Sequence, residues 1–263
     1  MMKQRYFQFP LCALSFVADT KKRLHYIISF ACVELGKKQW QKFNATEKRL
    51  RRSIPPSPQS CVGRINLGND EHLQVVAGAE RLQIIIRNVE RVLADHATLS
   101  RFIKEFEARH GTDAQVRIRT HWVFETRNGK GMSYQELAVI AAIYSKIGAS
   151  RRPVRILRDD IWKRAHGFKS DRVFREEMNG QRPFVTRRQV RSIIDRLDAR
   201  KFFARVTYAR RQTYYSHRMS AKELSEAVFQ LKTQRDVARR DSRTANAALT
   251  RRIQAERRRL ATL

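Results

Sequence analysis

Residues 186–218 read TRRQVRSIIDRLDARKFFARVTYARRQTYYSHR, and their pattern changes from helical to strand-like partway along. Thr186 and Gln189 have the spacing of a capping box, in which two side chains satisfy the first backbone donors of a helix. Four apolar residues then follow at i, i+3, i+4 and i+7, which is one face of an α-helix: Val190, Ile193, Ile194 and Leu197. The remainder is rich in β-branched and aromatic residues, which favour strands. We therefore predict a helix followed directly by a β-hairpin with a basic tip at residues 208–212.

Two more helices are predicted upstream of this stretch. Ser133 and Glu136 form a second capping box, and the apolar face that follows ends before Gly148. Residues 158–166 predict another helix, with two aspartates in the first turn, where the helix dipole favours acids. Between these helices, residues 153–156 predict a short strand that can pair with the hairpin.

Residues 133–219, about a third of the chain, resemble a winged helix-turn-helix DNA-binding domain in the order of their elements. The resemblance implies that the third helix, residues 186–199, enters the major groove and that the hairpin contacts the DNA backbone. The connection over residues 170–182 is longer than in the compact form of this domain, and an extra helical turn is expected around residues 173–178. There is also a weaker similarity to plasmid or phage replication initiators, in which residues 71–124 would be a degenerate first winged helix.

The residues expected to contact nucleic acid are almost all arginines. Arginine bonds guanine edges with two hydrogen bonds, and serine bonds a base edge or a phosphate. On the third helix the predicted contacts are Arg187, Arg188, Arg191, Ser192 and Arg196. At the hairpin tip and near the C-terminus they are Arg210, Arg211, Arg251, Arg252, Arg257 and Arg258. The competing interpretation is a solvated amphipathic helix, because arginine is a good helix former on any surface.

The charge of the chain indicates a polyanionic partner. Its 263 residues include 55 Lys and Arg against 25 Asp and Glu, for a net charge of +30. Repulsion among so many like charges disfavours a compact chain. Binding of Lys and Arg to nucleic-acid phosphates releases the counterions of those phosphates, which supplies affinity for the nucleic acid. We expect nucleic acid as the partner, with double-stranded DNA favoured over RNA, no membrane partner and a cytoplasmic, nucleoid-associated location. A homodimer or a larger complex is compatible with the sequence.

The expected fold class is mainly α with a small β component. In the apolar N-terminal part we predict a buried extended segment over residues 6–16 and a helix over residues 21–35 packed near it. The segments we distinguish are an apolar strand and helix segment (1–40), a basic Pro-rich linker (41–62), a helical region ending in a strand (63–130), a winged-helix domain (131–220) and a basic helix or tail (221–263).

Within the helical region, apolar spacing predicts helix over residues 70–110, with a second helix beginning at Asp95 and ending at Gly111. Residues 116–124 alternate between apolar and more polar side chains, which predicts a strand. In the hairpin, Tyr214 and Tyr215 are expected to point to opposite faces, one packed and one exposed.

Catalytic and metal-binding patterns are not recognisable in the sequence. It contains no GxxxxGK[ST] loop, no GxGxxG turn and no HExxH pair. The three cysteines, Cys12, Cys32 and Cys61, lack zinc-ligand spacing and indicate a reducing compartment. A nucleophilic role for Tyr214 or Tyr215 would need a neighbouring base or metal, so we do not favour it. We therefore expect no cofactor, no metal and no enzymatic activity.

Three functions remain open at this point. The first, which we favour, is a non-enzymatic, sequence-specific DNA-binding protein, either a transcriptional regulator or a replication initiator. The second is an RNA-binding structural subunit of a ribonucleoprotein or nucleic-acid-processing complex, which the basic linker and tail would suit. The third is an enzyme subunit that only positions nucleic acid for a partner.

Overall fold

The computed structural model describes residues 6–16, 26–38, 41, 64–66, 83–85, 89–124, 132–148, 150–208 and 212–261. These residues are mainly helical, with a few short antiparallel strands, as the sequence predicts. They fall into two compact units. The first unit comprises Met1–Ala149 and Ile156–Phe202, and the second comprises Ser150–Arg155 and Phe203–Leu263.

The helices and strands are numbered in chain order. The helices are α1 (26–38), α2 (Val89–His110), α3 (Thr120–Phe124), α4 (Tyr134–Ile147), α5 (Arg158–Ala165), α6 (Asp171–Glu177), α7 (Arg187–Ala199) and α8 (Ala221–Ala261). The strands are β1 (Tyr6–Pro10), β2 (Arg64–Asn66), β3 (Gln83–Ile85), β4 (Gln115–Arg119), β5 (Val154–Arg155), β6 (Ala204–Tyr208) and β7 (Gln212–Ser216), and Leu11–Leu14 form a 3₁₀ helix.

The N-terminal segment is part of the core of the first unit. β1 pairs antiparallel with β4, so that Phe7 lies opposite Ile118 and Phe9 lies opposite Val116. All four side chains are buried. The ring of Phe9 also meets the ring of Phe30 on α1 edge-on, with 5.3 Å between centroids. The predicted extended segment is therefore confirmed for residues 6–10, and the helix packed near it is confirmed for residues 26–35. Residues 11–14 are buried but form the 3₁₀ helix, so the extended prediction is wrong there.

The helix predicted over residues 70–110 is only partly present. Residues 83–85 form β3, paired antiparallel with β2, so the helical prediction is wrong there. Ile84 and Ile85 are β-branched, which lowers helix propensity and favours strands. The predicted residues 70–82 lie outside the described residues. The helix that follows is continuous from Val89, so the predicted boundary at Asp95 is also wrong.

The end of α2 is as predicted. Gly111 has a φ of 77°, a left-handed conformation that glycine adopts without steric cost. Its N–H donates a 2.8 Å hydrogen bond to the carbonyl of Glu107, which satisfies one of the last free acceptors of the helix.

The strand predicted over residues 116–124 ends at Arg119 and continues as the short helix α3. Trp122 and Val123 are both buried. Consecutive residues of a strand point to opposite faces, so a strand with one polar face would expose one of the two. Trp122 packs against the rings of Tyr144 and Phe202, with centroids at 4.9 and 5.9 Å. Burial of this large side chain accounts for the helical turn, which the alternation in the sequence did not indicate.

Three helices of the first unit, α4, α5 and α7, contact one another. The sequence predicts one apolar face for α4, but its residues 137–143 are all buried, as expected of a helix surrounded by protein. The predicted extra turn after α5 is present as α6. Gly167 directly follows the predicted helix of residues 158–166. It lets the backbone of Ser15 approach closely, because an added Cβ at Gly167 would lie 2.9 Å from the backbone nitrogen of Ser15.

The second unit is a three-stranded antiparallel sheet with α8 packed on it. The strand order is β5-β7-β6, and Val154 lies opposite Tyr215. The strand predicted at residues 153–156 and its pairing with the hairpin are thus confirmed over Val154–Arg155. Leu224 and Val228 of α8 are buried in a cluster with Tyr214.

The prediction that Tyr214 or Tyr215 is exposed is wrong. The two side chains are 4% and 3% exposed. Tyr214 belongs to the cluster under α8, and Tyr215 packs against the ring of Phe203 with centroids 5.5 Å apart. Both faces of β7 are therefore covered at this point.

The C-terminal segment is one helix of 41 residues, which at 1.5 Å per residue is about 60 Å long. Its first part packs on the sheet, whereas residues 233–255 are all exposed. Within the ranges given above, none of the helices combines the length and the apolar character that crossing a bilayer requires.

Candidate nucleic-acid interface

Helix α7 has a fixed beginning and one buried face. Thr186 Oγ1 accepts a hydrogen bond from the N–H of Gln189 at 3.2 Å, and Gln189 Oε1 accepts one from the N–H of Thr186 at 2.7 Å. The predicted capping box is therefore present, as is the one formed by Ser133 and Glu136. The four predicted core residues are buried: Val190, Ile193, Ile194 and Leu197. This packing determines which side chains α7 turns outward.

Arg188 and Arg191 are the arginines of α7 that remain available to a ligand. Both side chains lie on the exposed side of the helix. Arg187 and Arg196, by contrast, form ion pairs with acidic residues of α5 and α4. Arg188 and Arg191 are three residues apart, so they are neighbours on the helix surface. Two guanidinium groups presented together by a rigid helix can bond a guanine edge or two adjacent phosphates.

Arg187 contacts α5, and its side chain is still 63% exposed. Its Nε lies 3.4 Å from Asp159 Oδ1, and its guanidinium carbon lies 4.7 Å from the centroid of the Trp162 ring. Trp162 is itself positioned by a 2.8 Å hydrogen bond from Nε1 to the carbonyl of Val185. Arg187 thus has a partly neutralised charge and a cation–π contact, which makes it a weaker candidate for base recognition than Arg188.

Arg196 and Ser192 are also engaged within the protein. Arg196 Nε donates to Glu136 Oε1 at 3.2 Å, and its Nη1 donates to Ser192 Oγ at 3.2 Å. Burial raises the pKa of Glu136, but the hydrogen bonds from Ser133 and Arg196 outweigh it and lower the pKa below its ordinary value. Arg196 therefore meets a carboxylate that stays ionised at neutral pH.

The predicted contacts at the hairpin tip, Arg210 and Arg211, lie outside the described residues. On the flanking strand ends, Tyr208 is partly exposed. The ammonium of Lys232 on α8 lies 5.6 Å from the centroid of the Tyr208 ring and donates a hydrogen bond to Gln212 Oε1. Lys232 is a basic residue beside the hairpin that the sequence analysis did not single out.

The exposed part of α8 carries the other predicted contacts. Arg251, Arg252 and Arg257 are exposed, and for Arg258 only the helical backbone is described. Residues 233–257 contain seven arginines against three acidic residues, a net charge of +4. Successive helical residues are rotated by about 100°, so six of these seven arginines lie on one broad side of the helix, within an arc of about 160°, and Arg252 lies on the other side. This arrangement suits contact with phosphates more than recognition of a base sequence.

Arg151 and Arg152 are a further basic pair, in the turn before β5, that the sequence analysis missed. Both are exposed. Ser150 Oγ accepts from the N–H of Arg152 at 3.1 Å and donates to its carbonyl at 3.2 Å, which fixes the backbone of the turn. The sequence does carry a signal for this pair. Ser150 and Pro153 are residue types that turns favour, and two adjacent arginines lie between them.

The described residues contain no group of three or more His, Cys, Asp or Glu placed to hold a metal ion. Tyr214 and Tyr215 are buried, so neither hydroxyl is presented to a large substrate. Burial, with the nearby Asp113, raises the pKa of the Cys12 thiol well above its ordinary value, which disfavours the thiolate.

No family model, no curated protein and no solved structure matches the chain.

Proposed function

We propose that the chain is a non-enzymatic nucleic-acid-binding protein that contains a winged-helix domain over residues 133–219 and binds double-stranded DNA. The observation that carries the proposal is the outward pair Arg188 and Arg191 on α7, a helix whose opposite face is buried and whose start is capped. In this proposal α7 lies in the major groove and these two arginines contact base edges.

The order of the elements supports the winged-helix assignment. Helix α4, strand β5, helices α5 and α7, and strands β6 and β7 follow one another in the order of that domain, with α6 inserted before α7. The pairing of β5 with the hairpin also fits it. The predicted tip contacts, Arg210 and Arg211, belong to the wing in this proposal.

The exposed part of α8 supplies sequence-independent affinity in this proposal, through Arg251, Arg252, Arg257 and Arg258. The net charge of +30 supports such a role, because each phosphate neutralised releases counterions. A transcriptional regulator and a replication initiator share all of these residues.

We further propose a cytoplasmic, nucleoid-associated location, which the buried thiol of Cys12 supports.

Salt-titrated binding of the full chain to duplex DNA and to structured RNA of equal length tests the proposal. We expect tighter binding to the duplex, with the logarithm of the association constant falling linearly with the logarithm of salt concentration. Tighter binding to RNA at every salt concentration would favour an RNA-binding structural subunit instead. Binding to neither would rule out both.

A further inference from the structure

A pocket of about 360 Å³ lies in the second unit between the turn that precedes β5 and the first half of α8. Its volume falls within the range of small-ligand sites. Arg151 and Arg152 line one side, and Gln230 and Gln234 of α8 line another. None of the residues that line the pocket is acidic.

The arginine side of the pocket is suited to an anion. Both guanidinium groups extend from a turn that Ser150 holds by hydrogen bonds to the backbone of Arg152. A guanidinium binds phosphate oxygens with two parallel hydrogen bonds. Adjacent guanidinium groups on a fixed backbone therefore favour a phosphate group at this edge.

The α8 side of the pocket is suited to a flat group with polar edges. Gln230 and Gln234 are four residues apart, so their side chains lie one above the other on the helix. Each amide offers both a donor and an acceptor, which is what the edge of a nucleobase requires. Met219 and Leu231 add apolar surface to the same pocket, and such surface accepts the face of a planar ring.

We propose that this pocket holds one unpaired nucleotide of a bound nucleic acid. The phosphate lies on Arg151 and Arg152, and the base lies against Met219 and Leu231 with its edge at the glutamine amides. A base within a duplex is stacked on both faces, so the nucleotide must come from a bulge, a flipped position or a single strand. The inference rests on the proposed nucleic-acid-binding function.

The test compares a paired duplex with the same duplex carrying a single-nucleotide bulge, made as DNA and as RNA, in a fluorescence anisotropy titration of the full chain. Removal of the apolar face of the base from water against Met219 and Leu231 supports a preference of about tenfold for the bulged ligand. Ala227→Trp places a large ring in the pocket and is expected to abolish that preference. Ala245→Trp, on the exposed part of the same helix, is the matched control and should retain it.

Gln234→Glu provides a second variant, because it replaces one of the two amides at the base edge and adds a negative charge to the pocket. It should also abolish the preference while leaving duplex binding within about twofold. The inference is overturned if the wild type binds paired and bulged ligands equally, or if both pocket variants keep the full preference. In those cases binding to the paired duplex persists and the proposed function stands. Binding to no ligand at all would overturn the proposed function as well.

Discussion

Arg196 on α7 forms an ion pair with Glu136 on α4, with 3.2 Å between Nε and Oε1. The glutamate side chain is 12% exposed and the arginine side chain 54%. Arg200 adds a second guanidinium 4.0 Å from the same carboxylate. A residue that the sequence placed among the DNA contacts therefore holds α7 to α4.

Arg196→Ala should lower the free energy of unfolding by about 1 kcal/mol, because it leaves a largely buried carboxylate without one of its charged partners. Arg188→Ala, which removes an exposed arginine from the same helix, should change it by less than about 0.5 kcal/mol. Urea unfolding followed by circular dichroism measures both. Equal effects of the two substitutions would mean that the ion pair does not stabilise the fold.

The stability contribution of Glu136 should depend on pH. Its pKa in the folded chain is below the ordinary value of 4.5, so its contribution is fully present above that value. It should be lost as the pH falls from about 4.5 through the lowered pKa. Urea midpoints measured between pH 7 and pH 3 should therefore fall less steeply for Glu136→Gln than for the wild type. Parallel curves would contradict this assignment.

The arginines in the exposed part of α8 should contribute to DNA binding through their charge alone. Replacing Arg251, Arg252 and Arg257 by Gln should weaken binding to every duplex sequence alike. It should also reduce the salt slope of binding by about 0.9 for each phosphate that is no longer neutralised, which is about three in total. The triple Arg→Lys variant keeps the charge and should keep the slope. A change in sequence preference with an unchanged slope would show that these residues read bases.

Two leucines of α8 differ in burial, so their replacement by alanine should have different effects on the free energy of unfolding. Leu224 is fully buried against the sheet, whereas Leu249 is 57% exposed. Leu224→Ala should lower the free energy of unfolding by about 2–5 kcal/mol, and Leu249→Ala by less than about 0.5 kcal/mol. Thermal and urea unfolding measure the difference. A large, concentration-dependent destabilisation in Leu249→Ala would mean that another chain covers the exposed part of α8.

The features predicted correctly from the sequence are local ones. The capping boxes at Ser133 and Thr186 and the buried face of α7 depend on residues within two or three turns of each other. The mainly α fold and the three-stranded sheet around the hairpin follow from such signals. The same is true of the end of α2 at Gly111.

Three of the features that were missed depend on distant contacts. Arg196 and Glu136 are 60 residues apart, so their pairing could not be read from the spacing within α7. The helical turn at Trp122 depends on Tyr144 and Phe202, which are remote in sequence. The burial of both Tyr214 and Tyr215 likewise depends on packing that covers both faces of β7. Local periodicity carries no information on such contacts.

Base recognition by Arg188 and Arg191 is tested by a selection of preferred sites from a random duplex DNA pool, performed with the wild type and with Arg188→Ala/Arg191→Ala. We expect the wild type to enrich a defined motif and the double variant to lose preference at a few positions of it, at a cost of about 1–3 kcal/mol for each base that is no longer recognised. If the wild type enriches no motif, or if the double variant enriches the same motif with equal strength, the outward face of α7 does not read DNA.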